Sequence, residues 1–318
     1  MRYQFSIDRP SPSIRFPALV MAAIVCTVIA TYAIAGCGER SPDQAAAGEP
    51  VATAAAAVPA PEEKSTLIVS GPVSFEMADS AYRGRRFDDA VTLFQAYTER
   101  QPTNPWGFYM LGLSAWKAGD RAQAESAFVQ ALALDSTHVK SQINLSRVLL
   151  EGGQPQSALV HIETAITLDS TSSEPLRLLG RAYDALDKTD DAIVAYQRAI
   201  VKDDSDVWAL NNLGALYIRL ERFEDAIGPI ARAIELEGSV ATFHNNLGMA
   251  LEKTGRFGAA ADAYRAALAI EGTYGKAVAN LTRVQMVKQD PEIQPVDLSE
   301  RIKQFQAEVD RWRQPSVQ

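Results

Sequence analysis

A leucine followed by a small residue returns five times at an interval of 34: Leu111-Gly112, Leu145-Ser146, Leu179-Gly180, Leu213-Gly214 and Leu247-Gly248. Twelve residues after each small residue stands an alanine (Ala124, Ala158, Ala192, Ala226, Ala260). Four further on comes a bulky apolar residue (Phe128, Ile162, Tyr196, Ile230, Tyr264), and then a second alanine (Ala131, Ala165, Ala199, Ala233, Ala267). A weaker first copy keeps the phase with Met77-Ala78, Ala90, Phe94, Tyr97 and Pro102. Six copies of 34 residues therefore run from residue 71 to 274 without insertion. Within each copy the apolar residues fall at helical spacing in two runs. A turn splits the runs at Gly119, Gly153 or Gly255, or at a charged stand-in, Asp187 or Glu221. One such hairpin cannot bury its own apolar face, so each must stack on the next.

Leu179-Gly180-Arg181-Ala182-Tyr183 and Leu213-Gly214-Ala215-Leu216-Tyr217, each followed by alanine, a bulky apolar residue (Tyr196 or Ile230) and alanine, resemble the tetratricopeptide repeat (TPR). The closing proline of that pattern survives only as Pro102. Ser136, Ser170, Asp204, Gly238 and Gly272 replace it, and these residues can cap or end helices. The resemblance implies an all-α fold: a right-handed α-solenoid of six TPR helix hairpins (71–104, 105–138, 139–172, 173–206, 207–240 and 241–274), with a capping helix over 275–289. Beyond Pro291 and Pro295, Leu298, Ile302, Phe305, Val309 and Trp312 form one apolar stripe, which predicts an amphipathic C-terminal helix over 297–313 started by Asp297 and Glu300.

The two cysteines, Cys26 and Cys37, both lie near the N-terminus, which leaves no disulfide framework or cysteine metal site for the body. Arg2, Arg9 and Arg15 precede an uncharged run from Phe16 to Gly36, the order of an export signal. Ile34-Ala35-Gly36-Cys37 resembles the lipobox of bacterial lipoproteins, which implies a signal peptide over 1–36 and acylation of Cys37. The alternative is an uncleaved transmembrane anchor, since the run is long enough to span a bilayer. Either anchor places the body outside the cytoplasm, because the arginines hold the N-terminus inside. The expected location is the bacterial cell envelope, periplasmic in a Gram-negative cell. Residues 37–66 continue as an Ala/Pro-rich linker, and the apolar patch Leu67-Ile68-Val69 precedes the first repeat.

Catalysis finds no footing. His138, His161 and His244 form no metal-ligand pair, no phosphate loop or nucleophile elbow occurs, and Asp203-Asp204-Ser205-Asp206 reads as capping at a repeat junction. No metal or cofactor is expected, and a sequence pI near 5.1 argues against nucleic acid as a general partner.

The informative surface is the inward face of each first helix, at repeat positions 2, 5, 6, 9, 12 and 13. TPR proteins line their concave groove with that face. Here it carries ten basic residues (Arg83, Lys117, Lys140, Arg147, Arg177, Arg181, Arg219, Lys253, Lys276, Arg283) against six acidic ones (Glu76, Asp79, Glu151, Glu174, Asp184, Glu252). Such a face favours acidic segments, with pairing to neighbouring carboxylates as the alternative. Asn144, Asn212, Asn246 and Asn280 recur at position 6, joined by Asn211 and Asn245. A row of amides can hold an extended peptide backbone, and this spacing is similar to the asparagine ladder of O-GlcNAc transferases. Helix-to-helix hydrogen bonding is the alternative. Trp106, Tyr109, Met110, Leu113 and Trp116 make the face of repeat two apolar, with Phe75 and Tyr82 adjoining. Such a patch is either a partner site or a face covered by Leu67–Val69 or by the C-terminal stripe.

The expected function is therefore a non-enzymatic, membrane-tethered scaffold holding extended or acidic segments of other envelope proteins. Its architecture resembles pilotins of type IV pili and other envelope TPR lipoproteins. A glycan-binding module, or a non-catalytic subunit of an envelope enzyme or secretion complex, is the second class.

Overall fold

The computed structural model describes residues 71–314. The segment 1–36, Cys37, the linker 37–66 and the patch Leu67–Val69 lie outside the described residues. The described residues hold fourteen helices and no strand, stacked as an α-solenoid. The six hairpins are α1 (Phe75–Arg83) with α2 (Phe87–Arg100), α3 (Pro105–Lys117) with α4 (Arg121–Leu134), and α5 (Val139–Glu151) with α6 (Pro155–Leu168). They continue as α7 (Glu174–Ala185) with α8 (Thr189–Lys202), α9 (Val207–Arg219) with α10 (Phe223–Leu236), and α11 (Ala241–Lys253) with α12 (Phe257–Ile270). Then come α13 (Gly275–Gln285) and α14 (Leu298–Arg313). None of these is long and apolar enough to cross a membrane.

The chemistry of the repeat explains several of the boundaries. Side chains of Ser74, Asn104, Asp120, His138, Asp206 and Asp297 accept hydrogen bonds from the first free backbone N–H groups of α1, α3, α4, α5, α9 and α14. The turn inside every hairpin needs one left-handed residue. Gly119, Gly153 and Gly255 supply it in three, while Asp187 (φ 57°) and Glu221 (φ 59°) accept it in two. Arg85 (φ 59°) does the same in the first hairpin. The pattern alone does not single out that arginine.

The small residue of each copy lies directly under the bulky residue of its partner helix. A Cβ placed on Gly112, Gly180, Gly214 or Gly248 would stand 2.7, 2.5, 2.3 or 2.5 Å from the side chains of Phe128, Tyr196, Ile230 and Tyr264. Ser146 takes the same place in the third hairpin and is fully buried, its hydroxyl donating to Gln142 O at 2.7 Å. The two alanine rows are fully buried throughout, from Ala90 to Ala260 and from Ala131 to Ala267. Small residues thus bring the paired helices together, and the bulky row fills the space beside them.

Among the described residues, each first helix neighbours the first helix of the next hairpin, whereas successive second helices stand further apart. The first helices consequently form the closer, concave side and the second helices splay outward. Along the concave side α13 continues the series of first helices, burying Ala277 and Val284 against α12 and α11. The segment after it returns along the hairpin turns, where Ile293 reaches Gly255 and Gln289 bonds Gly255 O and Gly258 N.

α14 then packs against α8 and α10. It therefore lies on the second helices and does not cover the aromatic patch of α3. The cause is local. Gly228 in α10 leaves a notch whose floor a Cβ would block at 2.9 Å from Phe305 Cβ, and Phe305 and Val309 are buried there. Arg301 pairs with Glu224, and Arg313 meets Asp204 at 2.8 Å.

Candidate peptide-binding groove

The concave side holds a cavity of about 500 Å³ that reaches from Tyr82 in the first hairpin to Trp208 in the fifth. Every residue lining it stands at position 2, 5, 6, 9, 12 or 13 of a first helix. Tyr82, Tyr109, Leu113 and Trp116 form one end and Trp208 the other, with Lys117, Lys140, Asn144, Arg147, Arg177 and Arg181 between them. Glu151 and Glu174 are the only acidic residues of the lining.

Several of these side chains are already engaged, and the engagements divide them by role. Arg177 lies buried, its Nε donating to Asp206 Oδ2 at 3.2 Å, while Asp206 also caps α9 and accepts from Ser173 Oγ at 2.9 Å. A buried pair of this kind holds two hairpins in register, and removing one partner strands a charge. Arg147 pairs with Glu174 across the same junction, but both side chains are about a quarter to a third exposed, at 26% and 32%. An ion pair that open to water contributes on the order of 0–1 kcal/mol, so an incoming carboxylate can replace Glu174 at little cost. Trp116 donates from Nε1 to Glu151 Oε2 at 2.8 Å, and Lys117 Nζ and the Arg147 guanidinium lie 5.0 and 5.8 Å from its ring centre. Tyr109 is buried beside Asn144, and burial raises its phenol above the usual tyrosine pKa.

Trp106 does not line the cavity. It stands 46% exposed with its ring edge-on to Tyr109 and to His138, at 5.5 and 4.6 Å between centres, under the ammonium of Lys140. The aromatic patch is therefore split between a wall of the cavity and an outer cluster held by the histidine cap of α5.

The asparagine row corrects the sequence expectation most clearly. Asn246 donates to Asn211 at 2.9 Å and Asn280 to Asn245 at 3.0 Å, each pair 35 residues apart, and Asn211, Asn212, Asn245 and Asn246 are all buried. Position 6 of one first helix meets position 5 of the first helix before it, so these amides satisfy one another inside the stack. Asn144 alone of the row lines the cavity, and its Nδ2 donates to Lys140 O at 2.8 Å. The Asn211–Asn246 and Asn245–Asn280 pairs form a seam between hairpins.

Pairing also absorbs part of the basic face: Arg83 with Asp79, Arg219 with Asp184 and Arg283 with Glu252, besides Arg147 and Arg177. Trp208 is the lining residue that the sequence reading passed over. Its signal was an aromatic at position 2, on a face that is otherwise mostly polar. Among the described residues no group of His, Cys, Asp or Glu could hold a metal ion.

Comparison with known proteins agrees with this architecture. Family models described as tetratricopeptide repeat match residues 109–173 and 216–275, and one described as TPR repeat matches 180–221, together about half of the chain. No curated protein matches. A thermophilic TPR protein of Thermus thermophilus is 18% identical, with 57% of this chain and 100% of that one covered at a TM-score of 0.51. A tetratricopeptide repeat protein of Parabacteroides merdae gives 10% identity, 66% and 82% coverage and a TM-score of 0.57. The Cut9–Hcn1 hetero-tetramer of the APC/C gives 18%, 71% and 48%, and 0.59. At these identities the structures share the fold alone. With the family models and the unbroken 34-residue stack, they establish that the chain belongs to the tetratricopeptide repeat family.

Proposed function

We propose that this protein is a membrane-tethered scaffold of the bacterial cell envelope that holds an extended, net acidic segment of a partner in its concave cavity. The tetratricopeptide fold is one of protein–protein interaction, and the observation that makes the reading specific is the composition of the cavity. Five cationic side chains face two carboxylates between aromatic ends. Arg147 and Arg181 offer charge to the ligand, Tyr109, Leu113 and Trp116 an apolar anchor, and Trp208 a second one. Asn144 is the one asparagine placed to meet a peptide amide. A glycan platform is less well supported, because cations already flank the indole of Trp116.

The tether follows from Arg2 to Cys37 of the sequence. Cys37→Ser should leave an unprocessed, heavier precursor that incorporates no labelled fatty acid. A mature protein that still begins at Met1 would make the anchor transmembrane instead. The groove is tested on the full-length chain in detergent with fluorescent acidic peptides. Arg147→Glu with Arg181→Glu should weaken binding about tenfold or more and flatten its salt dependence. Unchanged affinity would move the site off the concave face.

A further inference from the structure

The aromatic and cationic residues of the cavity are spaced to suit one ligand conformation. Trp116, Arg147, Arg181 and Trp208 stand one on each of four successive first helices, α3, α5, α7 and α9. Helices packed as neighbours lie about 8–10 Å apart, so a ligand that crosses them meets one such group at each step of that length. A polyproline II segment rises about 3.1 Å per residue with three residues per turn, and every third side chain returns to the same face after about 9.3 Å. A β-strand returns a side chain to the same face after about 6.6 Å and an α-helix after about 5.4 Å, both out of step with the helices. We propose that the cavity is built for a polyproline II segment of the partner that carries an apolar residue, two acidic residues and a second apolar residue at intervals of three.

The resident carboxylates show the same step. Glu151 of α5 accepts from Trp116 Nε1 of α3 at 2.8 Å, and Glu174 of α7 pairs with Arg147 of α5. In each case a carboxylate lies between one first helix and the next. A ligand carboxylate entering beside Arg147 takes the place of Glu174, whose side chain is 32% exposed and can turn outward to water. The second acidic residue, three along, comes to Arg181 on the next helix. The apolar residues at the two ends meet Trp116 with Leu113, and Trp208, which Phe243 braces edge-on at 5.1 Å between ring centres. Proline at the intervening positions fixes φ near the bound conformation and so lowers the cost of ordering the ligand.

This inference rests on reading the cavity as a peptide site, and the experiment separates the two. Full-length protein in detergent is titrated with two fluorescent peptides of one composition. In the first, Trp-Ala-Pro-Glu-Ala-Pro-Glu-Ala-Pro-Trp, the key residues stand three apart. In the second, Trp-Ala-Glu-Pro-Glu-Ala-Trp-Pro-Ala-Pro, they stand two apart. The first should bind at least tenfold more tightly. Replacing one of its glutamates by lysine should weaken binding to the native chain about tenfold, and Arg147→Glu should recover most of that loss. Equal affinities for the two peptides, or tighter binding of the second, would overturn the proposal. Where that binding is lost in Arg147→Glu/Arg181→Glu, the peptide site itself stands. A lysine peptide that binds Arg147→Glu no better than the native chain would overturn the register in the same way. If neither peptide binds, both readings fall.

Discussion

A single methyl group separates the permitted from the forbidden at the small position of each hairpin. A Cβ on Gly214 would stand 2.3 Å from Ile230 Cγ1 and 3.2 Å from Ala226 O, and neither neighbour is a flexible side-chain end. Gly214→Ala should cost about 1–3 kcal/mol in denaturant unfolding. Glu221→Gly should act in the opposite sense, because it frees a left-handed residue from Cβ strain of about 1 kcal/mol. An unchanged midpoint for Gly214→Ala would contradict the close approach of α9 and α10. These sites were legible in the sequence, since a small residue and a bulky one recurring in fixed register report helix proximity directly. The asparagines were not. A helical wheel gives the direction of a side chain but not which neighbour reaches it first. Asn246→Leu should cost about 1–3 kcal/mol by stranding the buried amide of Asn211, and adding Asn211→Leu should recover part of that loss. Simple additivity of the two changes would show that the amides act independently.

Two elements carry devices that periodicity could not disclose. The stripe from Leu298 to Trp312 announced an amphipathic helix, but its dock depends on the outward splay of the second helices and on a glycine–proline pair inside α10. Gly228 and Pro229 are poor residues for a helix interior, and the placement of the glycine makes sense once Phe305 fills the notch. Gly228→Val should push α14 off. Trypsin would then cut at Arg301 and Lys303 and the emission of Trp312 would shift to the red, while the helical signal of the hairpins persists. Cleavage no faster than in the native chain would place the hold on α14 elsewhere. The start of α5 carries the second device. His138 accepts from Ser141 N and is buried, and His161, which is half-buried, donates to Gln142 Oε1. Burial lowers both pKa values below the usual histidine value of about 6.5. The unfolded chain therefore binds these protons more readily, and the stability present above about pH 6.5 is lost as pH falls through the lowered folded values. His138→Asn keeps an acceptor for the cap and removes the proton site. Its unfolding midpoint should change less than that of the native chain between about pH 7 and 5. An identical pH profile would assign the acid sensitivity to other groups.

For the whole molecule, the phase of the repeat put positions 2, 5, 6, 9, 12 and 13 on one face, and the residues lining the cavity fall on those positions because a solenoid repeats direction along with sequence. It could not locate the cavity along the axis. That depends on where polar pairs close the seam, as Asn211 and Asn246 do, and on which single positions depart from the pattern, as Trp208 does. The same one-dimensional order governs stability. Each hairpin touches only its neighbours, so opening can begin at either end and spread inward. The ends are not equivalent. α14 bridges α8 and α10 and the segment before it crosses Gly255, so the fourth to sixth hairpins are tied together by contacts distant in sequence. Among the described residues the first hairpin packs beyond itself on α3, with one side-chain hydrogen bond from Gln123 of α4 to Gln95. Native-state hydrogen exchange should therefore be slowest in α8 to α10 and fastest in α1 and α2, with α13 intermediate. Gly228→Val should release the protection of α8 and α10 and leave α3 to α5 unchanged. Uniform protection along the solenoid, or a loss in Gly228→Val that reaches α3, would mean that the stack unfolds as one cooperative block and that α14 is not a local brace.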